Sequence, residues 1–299
     1  MKWEGQEQSA NVEDRRGAGP AAGGGGFGLP IGGRGIGLGT IVIALVAGWI
    51  FGINPLTVLG LLSGGGAPVE VESPQSRAPS GQVGAHPGDP GAQFVSVVLR
   101  DTEQVWGQLF KGGGATYQEP VLVLYRGATR SACGLGEEAM GPFYCPGDAK
   151  VYLDLNFFND LSTRFGAPGD FARAYVVAHE VGHHVQNLMG VTGKVDAMRG
   201  RISQAEANAL SVRVELQADC LAGVWAYHSQ KGKGWLDATD LQAAIHAAGQ
   251  IGDDTLQRRA QGRVVPETFT HGSSEQRVTW FRRGLESGSV KQCDTFNAR

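Results

Sequence analysis

An α+β fold dominated by helices follows from three observations. Apolar residues recur at helical spacing over several stretches between Phe94 and Glu286. Only two short runs, Val121 to Tyr125 and Lys150 to Leu155, read as strands. The N-terminal third carries 23 of the 47 glycines and 8 of the 13 prolines within residues 1–92, which an ordinary packed domain does not tolerate. The expected organisation is a disordered cytoplasmic segment (1–35), a transmembrane helix region (36–62), a Gly/Pro-rich linker (63–92) and one folded domain (93–299).

Ile36 to Ile53 is an 18-residue run without a charge, interrupted afterwards by Asn54-Pro55 and resumed to Leu62. As a helix it would span about 27 Å, enough for a hydrocarbon core. Lys2, Arg15, Arg16 and Arg34 precede it, and the next basic residue is Arg77. The positive-inside rule then puts the N-terminus in the cytoplasm and the domain outside the cell's inner membrane, as a single-pass protein. Ser63 to Ala92 has five prolines and seven glycines and no apolar period, as a flexible tether would.

In the remaining chain, Phe94 to Phe110 is an amphipathic helix stopped by Gly112 to Gly114. Asn156 to Phe165 is a further helical stretch. Two long helices follow, about Asp170 to Met189 and about Ser203 to Ser229, the second opened by the capping box Ser203-x-x-Glu206. Asp237 to Ile251 is another, and Ser273-x-x-Gln276 caps a last one that runs to Glu286. Cys133, Cys145, Cys220 and Cys293 make an even count in the domain placed outside, which suggests disulfides. Three pairings are possible. The shortest loop favours Cys133 with Cys145, which leaves Cys220 with Cys293.

The formal net charge is −3, and from Gln93 onward 21 basic residues face 22 acidic ones. That balance cannot neutralise a phosphate backbone, so nucleic acid is not an expected partner.

The chemistry lies in the two long helices. His179-Glu180-Val181-Gly182-His183 places two imidazoles at i and i+4, on one helix face, where both can reach one Zn2+. Glu180 stands next to the open coordination position and can act as general base toward a zinc-activated water. Gln186 and Met189 occupy the places of the Gly and third His of a metzincin, so that class is excluded. The third ligand is expected from Glu215-Leu216-Gln217-Ala218-Asp219, with Glu215 on the metal and Asp219 orienting a ligand imidazole through its other N–H. The small residues Ala218, Cys220, Ala222 and Gly223 predict close helix packing there. His184 points about 100° away from His183 and is a core or supporting residue. His271, in the Thr270 to Ser274 loop, is a candidate catalytic donor to the oxyanion of a tetrahedral intermediate. His228 and His246 read as ordinary helix residues, and His86 falls in the linker.

At these residues the chain resembles the neutral zinc metallopeptidase family of bacteria, membrane-anchored proteins with an HExxH domain. The resemblance covers Glu13 to Gly17, the apolar span, Met140 to Pro146, His179 to His184, Glu215 to Cys220, Thr270 to Arg277 and Cys293 to Phe296. It implies a zincin-like domain, and the ExxxD pattern is similar to that of gluzincins, where the Glu is the ligand. It implies hydrolysis of a peptide or protein substrate, as an endopeptidase. By analogy, Phe143 to Leu155 is the candidate edge strand for substrate pairing, with proline substitutions along Val151 to Asp154 expected to raise KM. Two alternatives remain at this level: a non-catalytic scaffold stabilised by zinc, and a zinc hydrolase of another amide such as cell-wall peptide.

Overall fold

Strand β3 (Val121–Tyr125) and strand β7 (Lys150–Asp154) pair in parallel at the centre of a five-stranded sheet. Their side chains alternate between two cores. Leu122, Leu124, Val151 and Leu153 face the helices, while Val123, Tyr125 and Tyr152 fill a smaller cluster on the other face. A computed structural model describes residues 1–17, 82–83, 88–137 and 141–297. The chain divides into two compact units, Met1–Ala21 with Pro79–Arg299, and Ala22–Ala78, which lies outside the described residues.

The sheet is completed by strands too short to show a period in the sequence. These are β1 (Val12–Asp14), β2 (Gln82–Val83) and β6 (Phe143–Cys145), in the order β2-β1-β3-β7-β6. β1 runs parallel to β3, with Val12 opposite Leu122, and β6 is antiparallel to β7. A separate hairpin, β4 (Ala128–Ser131) and β5 (Gly134–Glu137), packs Gly136 on the ring of Phe143, where a Cβ would lie 2.4 Å from a ring carbon. The Cys133–Cys145 disulfide ties this hairpin to β6.

The helices are α1 (Pro90–Gly112), α2 (Asn156–Thr163), α3 (Asp170–Leu188), α4 (Val191–Arg199), α5 (Gln204–Lys233), α6 (Ala238–Gln250), α7 (Asp253–Gln261) and α8 (Ser274–Ser287). The expected capping boxes at Ser203 and Ser273 both form. So does close packing along α5. A Cβ on Gly223 would meet the Phe281 carbonyl oxygen at 2.1 Å, and one on Gly284 would meet that of Cys220 at 1.9 Å. Backbone thus touches backbone where α5 crosses α8. The Cys220–Cys293 disulfide fastens the C-terminal 3-10 turn (Val290–Cys293) to the same helix.

Two expectations are corrected. Among the described residues no helix is long and apolar enough to cross a membrane, so the fold is a helix-rich α+β unit without a demonstrated membrane helix. The span expected over residues 36–62, and most of the tether after it, lie outside the described residues. The second correction concerns residues 1–17, expected to be disordered. Val12 is buried in the main core, Trp3 packs edge-on to Phe94 and donates to Asp170, and Ser9 donates to the buried Glu103 at 2.6 Å. Arg15 and Arg16, counted as cytoplasmic flanking charges, are spent inside the fold. Arg15 pairs with Glu13, and Arg16 bridges Asp14 to Asp89, the N-cap of α1. Parallel pairing of β1 with β3 puts residues 12–14 in one unit with the HExxH helix. The expected end of the tether is likewise taken up by β2 and the first turn of α1. In the full chain, Val12→Asp buries an unpaired charge and is expected to cost about 3 kcal/mol. Thermal unfolding checks this, and an unchanged midpoint would show that β1 contributes nothing to the unit.

Candidate metal centre

Helices α3 and α5 cross with small residues at the contact. A Cβ on Gly182 would lie 3.0 Å from the Ala218 carbonyl oxygen and 3.2 Å from its Cα. Gly182 stands between His179 and His183, and Ala218 between Glu215 and Asp219. The crossing therefore brings the two i, i+4 pairs face to face.

The Nε2 of His179 is 3.1 Å from Glu215 Oε2, and that of His183 is 3.6 Å from Glu215 Oε1. One ligating atom from each of the three residues lies within 4.8 Å of the others, so the group could hold one metal ion. Each imidazole is oriented through its other nitrogen. His179 Nδ1 donates to Asp219 Oδ1 at 2.9 Å, and His183 Nδ1 donates to Gln186 Oε1 at 2.8 Å. Both Nε2 atoms are thereby turned toward Glu215, where a metal would displace their protons and meet the lone pairs. Gln186 is itself held, since its amide donates to the Val214 carbonyl at 2.8 Å and to Gln217 Oε1 at 3.0 Å.

The electrostatics match a cation. Burial alone lowers the proton affinity of His179, but the Asp219 carboxylate reverses this, and with Glu215 it raises the pKa to about 10. His183 is pulled down by burial and raised on balance by Glu215. Burial pushes the Glu215 carboxyl up, yet the two imidazoles hold it well below the usual carboxylate range. Asp219 is raised by burial and lowered by Arg277 and His179 to about 2. Two ionised carboxylates thus favour positive charge at the imidazoles, which protons supply in the bare site and a metal cation would supply in their place. Two imidazoles and a carboxylate are also the donor set that suits zinc.

Glu180 and His271 line the same open cleft as the three donors, a space of about 560 Å³. Its wall includes Phe143 and Tyr144 of β6, which is the sheet edge. β7 lies inside the sheet between β3 and β6. Of the candidate segment Phe143 to Leu155, only Phe143–Cys145 therefore lies on a sheet edge. Proline along Val151 to Asp154 would break an interior ladder rather than raise KM.

His271 is set by Asp253. One Asp253 oxygen accepts the backbone N–H groups of Thr270, His271 and Gly272 at 2.8, 2.6 and 3.0 Å, and the other stands 3.3 Å from His271 Nδ1. That contact raises the His271 pKa above its ordinary value. His184 is outside the site. It accepts from the Tyr144 hydroxyl at 3.0 Å and donates to the Gln118 carbonyl at 2.6 Å, and burial lowers its pKa. His228 and His246 each hold a backbone carbonyl, of Gly288 and Gly166. His86 lies outside the described residues. Tyr175, Gln186, Asp253 and Arg277 also support the site, without a role readable from the sequence. Only Gln186 carries a local signal, being i+3 from His183.

A model of the family described as "Putative neutral zinc metallopeptidase" matches residues 1–296. The protein YpfJ of Escherichia coli (strain K12) is 51% identical over 299 residues, 99% of each chain. The protein Rv2575 of Mycobacterium tuberculosis is 45% identical over 206 residues, covering 66% of this chain and 67% of its own. The protein Mb2605 of Mycobacterium bovis matches to the same extent. No solved structure matches the chain.

Gln186→Leu removes the orienting acceptor of His183 while keeping a side chain of similar size. Zinc affinity, measured by competition with a chromophoric chelator, is expected to fall about 10–100-fold. An unchanged affinity would show that His183 needs no such partner.

Proposed function

We propose, from the premise that the chain belongs to the neutral zinc metallopeptidase family, that it is an endopeptidase whose zinc is held by His179, His183 and Glu215. The observation that carries this reading is the arrangement of three donors and Glu180 in one open cleft. Structural zinc sites use four protein ligands. Among the described residues only three donors converge here. A bound zinc supplies Lewis acidity and makes water a nucleophile at neutral pH.

The protein groups then divide the work. Glu180 takes the proton of the attacking water and delivers it to the leaving amine. His271 donates a hydrogen bond to the oxygen that gains charge as the carbonyl carbon becomes tetrahedral, and Asp253 fixes its ring for that contact. The β6 edge strand, whose Phe143 and Tyr144 line the cleft, is suited to pairing with an extended substrate. The two disulfides support action in a compartment that lets them persist, outside the cytoplasm.

Glu180→Gln is expected to bind zinc as the parent does and to lose peptide cleavage by about 10²–10⁴-fold on a mixed peptide library. Equal cleavage by both proteins would remove Glu180 from the mechanism. No cleavage by the zinc-loaded parent would remove the peptidase reading itself. The raised pKa of His271 sets a sign for pH dependence. Its protonated form is the better donor, so kcat should decline as pH rises through a value above the ordinary 6.5. In His271→Gln that alkaline decline should disappear; if it persists, another group titrates.

A further inference from the structure

Glu215 and Asp219 are two carboxylates one turn apart on α5, beside the same imidazoles, yet they are not equivalent. Glu215 faces both Nε2 atoms. Asp219 is fully enclosed and its oxygens are taken. Oδ1 accepts from His179 Nδ1, from the Tyr175 hydroxyl and from Arg277 Nη2 at 2.9 Å, while Oδ2 accepts from Arg277 Nε at 2.8 Å. The guanidinium is itself only 3% exposed. It also donates to the Ile251 carbonyl and to the Tyr175 oxygen, each at 3.2 Å, which fixes its plane.

We propose that Arg277 is a positioning residue that sets the roles of the two carboxylates: its forked contact holds Asp219 against His179 and away from the metal, leaving Glu215 as the only carboxylate ligand. The proposal rests on the zinc reading of the site. The physical reasons are geometric and electrostatic. A planar guanidinium offers two parallel N–H groups, which match the two oxygens of one carboxylate and lock its rotation. An ammonium in the same place is a point charge and would leave the carboxylate free to turn. Arg277 also balances the Asp219 charge, so the enclosed carboxylate carries no net demand for a cation of its own. Without the fork, Asp219 can swing from Nδ1 of His179, and that ring loses its tautomer and its direction.

The test is a double-substitution cycle in the full chain, read as zinc affinity by chelator competition, with circular dichroism confirming the fold before zinc is added. Arg277→Met and Asp219→Asn are each expected to weaken zinc binding about 10–100-fold. If Arg277 acts through Asp219, the double variant binds zinc no more weakly than the weaker single one. If the two losses multiply, Arg277 acts independently and the proposal fails. Arg277→Lys keeps the charge and covers the case in which Arg277→Met does not fold. A loss of about tenfold or more with Lys supports the fork, and parent affinity with Lys overturns it. A parent chain that binds no zinc would overturn the metal reading and this proposal together. Zinc bound tightly by the parent and equally by every Arg277 variant would overturn this proposal alone.

Discussion

The enclosed carboxylate of Asp219 is the interaction on which the centre is arranged. It is shut off from bulk solvent, and both of its oxygens are met by donors from the protein. Those donors come from two helices, Tyr175 and His179 from α3 and Arg277 from α8, and Asp219 itself stands on a third, α5. Satisfying one buried charge therefore fixes the mutual rotation of three helices. The direction of His179 follows from that rotation.

The helices can meet this demand because they approach closely. Gly182 against Ala218 brings α3 to α5, and the Gly223 and Gly284 contacts bring α5 to α8. A side chain larger than hydrogen at the second crossing would push the Arg277 helix outward. Behind the centre, a chain of amides runs from His183 through Gln186 and Gln217 to the carbonyl of Cys293. The disulfide at Cys220–Cys293 closes that chain onto the helix that carries Glu215. Each imidazole thus has its own line of support, one ionic and one built of neutral amides.

What was legible in the sequence was local. His179 and His183, Glu215 and Asp219, and the capping boxes at Ser203 and Ser273 are relations within one or two helical turns, and helix geometry alone converts them into placement. Long-range relations were legible only where chemistry demanded a partner, as with Glu215 for the two imidazoles and Cys220 for Cys293. Arg277 looks like any charge in the first turns of a capped helix, and its partner is 58 positions away. Asp253 meets His271 across 18 positions and two segments without a shared period. β1 is three residues long and is followed by Gly-rich sequence, so neither alternation nor composition marks it. The basic residues near it suggested a membrane flank because their acidic partners, Glu13, Asp14 and Asp89, pair with them only in the folded sheet.

That first strand also imposes an order of events on synthesis. Val12 pairs with Leu122, and Ser9 meets Glu103 across 94 positions. Residues 12–14 must wait for partners made much later in the chain. Contacts of such separation form slowly. The delay grows with the length of intervening chain, but the equilibrium cost of closing that loop rises only with its logarithm. A long insertion between β1 and β2 therefore weighs more on the rate at which the sheet is completed than on the stability of the finished unit.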